Sequence, residues 1–437
     1  MNRNTMEIKK YVSQLEHDVI GAMNKPGPWY WAALAISILC FLSGLSLWGY
    51  QMFFGMGVAG ITHPVGWGVY ITNFVFWVGI AHSGTLISAV LFLFRAKYRN
   101  SFNRTAEAMT VFAVMTAGLF PLIHLGRTWY AYWLFPYPNQ RLLWINFRSP
   151  LIWDVFAVNT YLTVSAIFFF VGMIPDLAIV RRLSTGLKKL VFSVLSLGWQ
   201  GSLNQWRHYN KLYLYLAALA TPLVISVHSI VSWDFAMSIV PGWHTTIFAP
   251  YFVAGAIFSG TAMVITLVVP MRRIFKFEKY ITIDHFESIA KILLLTSLIV
   301  TYSYIVEIGM AFYTGNIFEV AITRYRAVGN YKFFYWLMIL CNSFFPLTLF
   351  IKKLRRNLSY LVFVAILVNI GMWIERFVLI VTSLAHDFNP YSWGIYKPTF
   401  VEIGITLGSF GLFFTLFLIF VKTLPVLSIT ELKEHAE

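Results

Sequence analysis

Long apolar runs separated by short polar segments set the pattern of this chain. Ten runs cover about residues 30–53, 67–94, 105–125, 152–180, 211–237, 247–270, 288–313, 333–351, 358–384 and 399–422. At about 1.5 Å of rise per residue each is long enough to cross a hydrocarbon layer of about 30 Å. Apolar residues occur on all sides of these runs, without alternation, which predicts helices and argues against a barrel. The residues before the first run differ. Ile8, Val12, Leu15 and Val19 recur at helical spacing in a polar stretch, predicting an amphipathic surface helix. The arm's mixed charge does not read as a signal peptide. The predicted fold is all-α and polytopic, with an arm (1–29), a ten-helix transmembrane domain (30–422) and a tail (423–437).

Composition agrees with this reading. Only 12% of the residues are charged, where soluble proteins have about 25%. A net charge of +15 raises nucleic-acid binding as a possibility until the charges are located. With the N-terminus inside, 24 of the 33 Lys and Arg fall in inner segments and 7 in outer ones. That asymmetry obeys the positive-inside rule and places both termini in the cytoplasm. The basic charge therefore orients the chain in a bilayer and does not point to DNA or RNA. The two cysteines, Cys40 and Cys341, are too few for an iron–sulfur cluster, which takes four ligands.

Three loops are longer than the rest. Residues 181–210, "RRLSTGLKKLVFSVLSLGWQGSLNQWRHYN", alternate basic and apolar patches, predicting an interfacial helix on the inner side. Residues 314–332 and 126–150 lie outside. The latter, "GRTWYAYWLFPYPNQRLLWINFRSP", combines an aromatic interfacial belt with exposed aromatics and Arg suited to docking another protein. A faint repeat aligns Ser83-Gly84-Thr85 of span two with Ser259-Gly260-Thr261 of span six, and Glu107 with Glu287. It suggests two related four-helix bundles, spans 2–5 and 6–9, flanked by spans 1 and 10.

Charges inside apolar spans are costly and usually functional. "NIGMWIERFVLIV" places Glu375 and Arg376 side by side in span nine, about 100° apart on a helix, so that only one should face a given cavity. His124, Asp154, His228, Asp234, Glu307, Arg376 and Glu402 fall toward the outer side. Glu107, Asp176, Glu287 and Lys291 fall toward the inner side, with His82 near mid-depth. Each has an ordinary explanation: Asp154 suits the first turn of a helix, Asp234 could be solvated, and His124 could be a hydrogen-bonded core histidine. Convergence of acids, histidines and an arginine from at least four helices favours a site. Single histidines in spans two, three and five, at different depths, do not suit bis-histidine haem. A secondary transporter would need broken helices and a midplane site. A quinol site fits better, because it needs an apolar slot, a His or carboxylate for each hydroxyl proton, and a cation for developing negative charge.

The motifs "ITNFVFWVGIAHSGTLISAVLFLFR", "FPLIHLGRTW", "YWLFPYPNQ", "NFRSPLIWDVFAVNTY", "VGMIPDLA", "SVHSIVSWDFAMSIVPGWHTTIFAPYFVAGAIFSG" and "MWIERFVLIVTSL" resemble the NrfD/polysulfide-reductase membrane subunits. The resemblance is most specific to the quinol-binding NrfD-like subunit of bacterial alternative complex III. It implies a multi-pass subunit of the bacterial inner membrane that oxidises menaquinol near the periplasmic face, with no haem or iron–sulfur cluster of its own. Implied partners are a periplasmic iron–sulfur subunit, multihaem and monohaem cytochrome c subunits, and a second NrfD-like subunit. By motif, His124 and Asp154 would be the catalytic proton acceptors, with Asp234, Arg376 and His228 lining the quinol pocket. His82, Glu107, Asp176 and Glu307 would form a proton path. The competing expectations are a non-redox anchor, the second, proton-conducting NrfD-like subunit, or a secondary transporter.

Overall fold

The computed structural model of the chain describes residues 3–24, 27–135 and 147–433. Among these residues the regular structure is helical, with no strand. An N-terminal helix, α1 (Arg3–Asn24), is followed by α2 (Pro28–Phe54), α3 (Val69–Leu93), α4 (Asn103–His124) and α5 (Pro150–Arg182). After the short α6 (Gly186–Leu195) come α7 (Leu203–Ala236), α8 (Phe248–Ile274) and α9 (Ile283–Thr314). The short α10 (Ile317–Val328) precedes α11 (Lys332–Phe350), α12 (Leu358–Ala385) and α13 (Phe400–Thr423), and α14 (Ile429–Lys433) ends the described chain. Ten of these, α2–α5, α7–α9 and α11–α13, are long and apolar enough to span a membrane, as the hydrophobic pattern predicts. The chain is a multi-pass membrane protein.

Local chemistry sets the helix ends. Pro28 and Pro150 open α2 and α5 at the first turn, where a missing N–H costs nothing. The helix of span five starts at Leu203, eight residues before its apolar run. Ser202 and Gln205 form a capping box there, carrying the helix through the polar residues up to Lys211. Thr399 and Glu402 cap α13 in the same way. In α1, Leu15, Val19 and Met23 are buried, and the Tyr280 hydroxyl donates to Asp18 at 2.9 Å, so the amphipathic arm lies against the body.

The most enclosed helices are α3 and α8, while α2 presents most of its surface to lipid. α3 packs on α4 and α8, α5 on α4 and α7, α8 on α9 and α12, α11 on α12, and α2 on α13. The two Ser-Gly-Thr tripeptides meet where α3 crosses α8. Ser83 Oγ donates to the Ile257 carbonyl at 2.6 Å and lies 3.0 Å from Thr261 Oγ1. A Cβ on Gly260 would come within 2.6 Å of the Ile80 carbonyl oxygen, and one on Gly84 within 2.2 Å of the Ala106 carbonyl oxygen. Both glycines are therefore required by close helix approach. Two π-helical turns, Leu86–Val90 in α3 and Leu340–Phe344 in α11, interrupt otherwise regular spans.

On the side of the termini, α14 packs against α1 and the end of α5. The 181–210 segment contains α6, whose Leu187, Leu190 and Val194 are exposed beside two lysines, in keeping with an interfacial helix. On the opposite side Trp129, Tyr132, Trp133, Phe135 and Phe147 are exposed. The rest of that aromatic loop, including Trp144, lies outside the described residues.

Candidate functional site

Three polar clusters occupy successive levels of the helix bundle. The first lies at the end opposite the termini. Asp154, in the first turns of α5, and Asp234, near the end of α7, interact through their carboxyl groups, and the neighbouring Trp153 and Trp233 rings meet edge-on at 6.0 Å. One oxygen of each carboxyl is buried without a hydrogen-bond partner. His124 is the last residue of α4, and its Nδ1 is likewise buried and unpartnered. The α4 end is held from α2: Gln51 Nε2 donates to the Ile123 carbonyl at 2.9 Å, and its oxygen accepts from Tyr70. Beside Ile123 an apolar groove of about 340 Å³ opens between α2, α4 and α13, walled by Phe41, Trp48, Leu119 and Phe120. Among the described residues no hydrogen bond or ion pair links His124 to the aspartate pair.

The second cluster runs across the centre. His82 of α3 and His228 of α7 touch, with ring centroids 4.5 Å apart, and Tyr161 flanks His82 at 5.1 Å. His82 Nδ1 is engaged by the Val78 carbonyl at 2.5 Å, whereas His82 Nε2 and both His228 nitrogens have no partner. This contact corrects the expectation that the histidines stand at different depths. Depth counted from helix ends assumes a common plane, but α7 has 34 residues and α3 has 25, and α7 overhangs.

From His228 the row continues through Phe252, whose ring stacks 5.8 Å from the imidazole and 4.2 Å from the Arg376 guanidinium carbon. Arg376 Nη1 stands 3.0 Å from Glu375 Oε1. Adjacent helical residues leave the axis in different directions, and these two do. The long arginine chain nevertheless folds back far enough to touch its neighbour's carboxylate. The other Glu375 oxygen accepts from Tyr304 of α9 and, at 3.2 Å, from Asn342 in the π-turn of α11. Glu375 thus binds neighbouring helices, while Arg376 faces α8. Beyond it a small cavity lined by Tyr251, Tyr304, Glu375, Glu307 and Arg326 opens toward α10. Arg326 bonds Glu307 at 2.6 Å and also reaches Thr382, Ser383 and the Gly242 carbonyl.

The third cluster is on the side of the termini. Arg104 donates to Glu107 at 2.8 Å, to Asp176 at 2.9 Å and to the Gly172 carbonyl at 2.7 Å, all deeply buried. Tyr213 donates to the second Glu107 oxygen at 3.0 Å. Thr430 of α14 donates twice to Asp176, at 2.9 and 2.8 Å, and Glu431 accepts from Arg99 at 3.0 Å. Glu287, the counterpart of Glu107, is held by Arg355 and Arg356.

The four residues expected along one proton path therefore lie in all three regions: Glu107 and Asp176 share an arginine, His82 is central, and Glu307 is paired beside α10. Arg104 and Arg326 fall among the loop charges that orient the chain, yet both are buried ion-pair centres. Arg104 stands three residues before Glu107, the spacing of a helical ion pair, so the sequence does carry a signal for it. For Arg326 no comparable signal exists, because its partner Glu307 belongs to another helix. Among the described residues no group of three or more His, Cys, Asp or Glu is placed to hold a metal ion.

Fold and clusters together define a ten-span membrane protein with ionisable groups buried at several levels, the architecture of a subunit that handles charge inside the bilayer. The chain belongs to the NrfD family: the family model described as "Polysulphide reductase, NrfD" matches residues 57–386. It is 26% identical over 399 residues to a Halobacterium salinarum protein provisionally named as the C-type membrane component of a dimethyl sulfoxide reductase, with 86% of each chain covered. The C component of the selenate reductase of Mesobacillus selenatarsenatis is 25% identical over 49% of this chain and 50% of its own. The Hdr-like menaquinol oxidoreductase integral membrane subunit of Archaeoglobus fulgidus is 23% identical over 44% of this chain and 45% of its own.

Proposed function

We propose that this chain is the membrane subunit of an oxidoreductase complex of the alternative complex III type, and that it binds and oxidises menaquinol on the side opposite its termini. One observation carries this reading. At that end, proton-accepting atoms of His124, Asp154 and Asp234 are buried and unsatisfied, with an apolar groove beside the α4 end. A buried polar atom left without a partner costs about 1–3 kcal/mol, and a purely structural anchor has no use for three of them. The naming of the Archaeoglobus relative as a menaquinol oxidoreductase subunit supports the substrate class.

In this reading the quinol ring is bound between hydroxyl-proton acceptors, His124 on one side and Asp154 with Asp234 on the other. Oxidation releases two protons and two electrons. The residues take the protons, and the electrons leave the membrane to a periplasmic iron–sulfur subunit and then to multihaem and monohaem cytochrome c subunits. His228 and Arg376 bring positive potential toward the pocket from the central row. His82, Glu107, Asp176 and Glu307 are the residues through which oxidation would be coupled to proton movement, alongside a second NrfD-like subunit. The setting is the bacterial inner membrane with both termini cytoplasmic.

The test is menaquinol:acceptor turnover in the purified complex, with polypeptide and haem content checked in each variant. His124→Ala and Asp154→Asn are each expected to lower turnover about 10²–10⁴-fold, the usual worth of general base catalysis. An assembled Asp154→Asn complex working near the parental rate would remove the pocket from this location and leave the anchor reading in front.

A further inference from the structure

We infer that the chain holds the phosphate headgroup of an anionic phospholipid in a basic cleft on the side of the termini. The cleft encloses about 990 Å³ between the end of α5, α6, the start of α7 and the C-terminal segment. Arg181, Arg182, Lys189 and Lys433 line it, and among the described residues no carboxylate does. The one acid paired with any of the four, again among the described residues, is Glu16, which bridges Arg182 at 2.9 Å and Lys433 at 2.5 Å from outside the cleft. The cleft keeps an excess of positive charge.

Its walls are built rather than incidental. Arg181 is fixed by Ser196 Oγ at 2.9 Å and the Trp199 carbonyl at 2.7 Å, which pre-positions a planar donor suited to phosphate. Trp199 and Trp206 pack edge to face at 5.0 Å and form an aromatic wall, the side-chain type that settles at headgroup level. At 33 residues, α5 measures about 50 Å. It therefore outreaches a hydrocarbon core of about 30 Å, so its basic end stands among headgroups.

A free phosphate ion would leave most of this volume wet. A lipid would not, because the exposed Leu187, Leu190 and Val194 of α6 offer an apolar path for acyl chains directly beside the cations. Basic pockets between membrane helices are a recognised mode of anionic headgroup binding. The site is separate from the three buried clusters and stands independently of the quinol reading.

Native mass spectrometry of the full chain, titrated with dioleoylphosphatidylglycerol or dioleoylphosphatidylcholine, tests the inference. We expect retention of the anionic lipid in preference to the zwitterionic one. Arg182→Gln with Lys189→Gln should weaken that retention about 10- to 30-fold, since each surface cation contributes about fivefold. Both side chains are exposed, so folding is not at stake. Lys352→Gln with Lys353→Gln, on the same face but outside the cleft, should leave retention unchanged. Equal retention of the two lipids, or equal weakening by both variant pairs, would overturn the site. A third arm uses inorganic phosphate and thermal unfolding. If phosphate stabilises the chain as much as the anionic lipid does, and the Arg182/Lys189 variant abolishes both effects, the lipid assignment fails in favour of a soluble ion.

Discussion

Arg104 is buried because every polar group around it is answered. Two carboxylates and a carbonyl take its donors, and Tyr213 completes Glu107. Removing one partner from such a network strands the others in a medium that cannot solvate them. Arg104→Gln should therefore cost about 3–5 kcal/mol, read as a clear fall in the thermal unfolding midpoint of the purified chain. Combining it with Glu107→Gln and Asp176→Asn should recover much of the loss. An unchanged midpoint for the single variant would mean the network contributes nothing. Arg376 differs in kind: its neighbours are aromatic rings and one carboxylate, and its Nη1 makes no aligned hydrogen bond. If it steadies negative charge during quinol oxidation, Arg376→Gln should lower turnover about 10²–10³-fold with assembly intact. Turnover near the parental rate would make it a structural ion pair with Glu375.

Between helices, the α3–α8 crossing carries the specificity of the core. Without hydrophobic driving force inside lipid, helices associate through close packing and interhelical hydrogen bonds, and the paired Ser-Gly-Thr tripeptides supply both. Gly260→Val would place its Cβ 2.5 Å from Ser83 Cβ. The helices would have to separate, and the Ser83–Ile257 hydrogen bond would stretch. A loss of about 1–3 kcal/mol follows from overpacking, measurable as earlier aggregation on heating in size-exclusion chromatography. Retention of parental stability would show that α3 and α8 can slide apart freely. The π-turn in α11 has an equally local purpose, since it carries Asn342, which bonds Glu375 and Tyr304 together.

For the whole molecule the governing feature is sidedness. Inner-segment Lys and Arg outnumber outer ones, which predicts cytoplasmic termini. Single cysteines placed in 126–150 should react with an impermeant reagent from the periplasm, and those placed in 181–210 should not. The reverse pattern would invert every assignment of inside and outside. The exposed aromatic surface around Trp133 and Phe147 lies on the side opposite the termini, next to the candidate quinol end. If an iron–sulfur subunit docks there, Phe147→Asp should release it during purification while this chain stays folded. Retention of the full assembly would return the loop to an interfacial belt.

What the sequence determines by itself is what is local. Hydrophobicity belongs to each side chain and its immediate neighbours, so all ten spans, the amphipathic α1 and the interfacial α6 are visible as patterns. So is the concentration of His124, Asp154 and Asp234 toward one end. The start of α7 escapes the pattern because a capping box overrides polarity, and α10 because an acidic–basic loop can still be a helix once Asn316 caps it. Pairing is not local. Whether His82 meets His228, whether Arg326 reaches Glu307, and whether Thr430 reaches back across 254 positions to Asp176 depend on helix rotation, overhang and tilt. Those are settled by packing against neighbours distant in the chain, and an apolar pattern that runs all round a helix leaves its rotation undetermined.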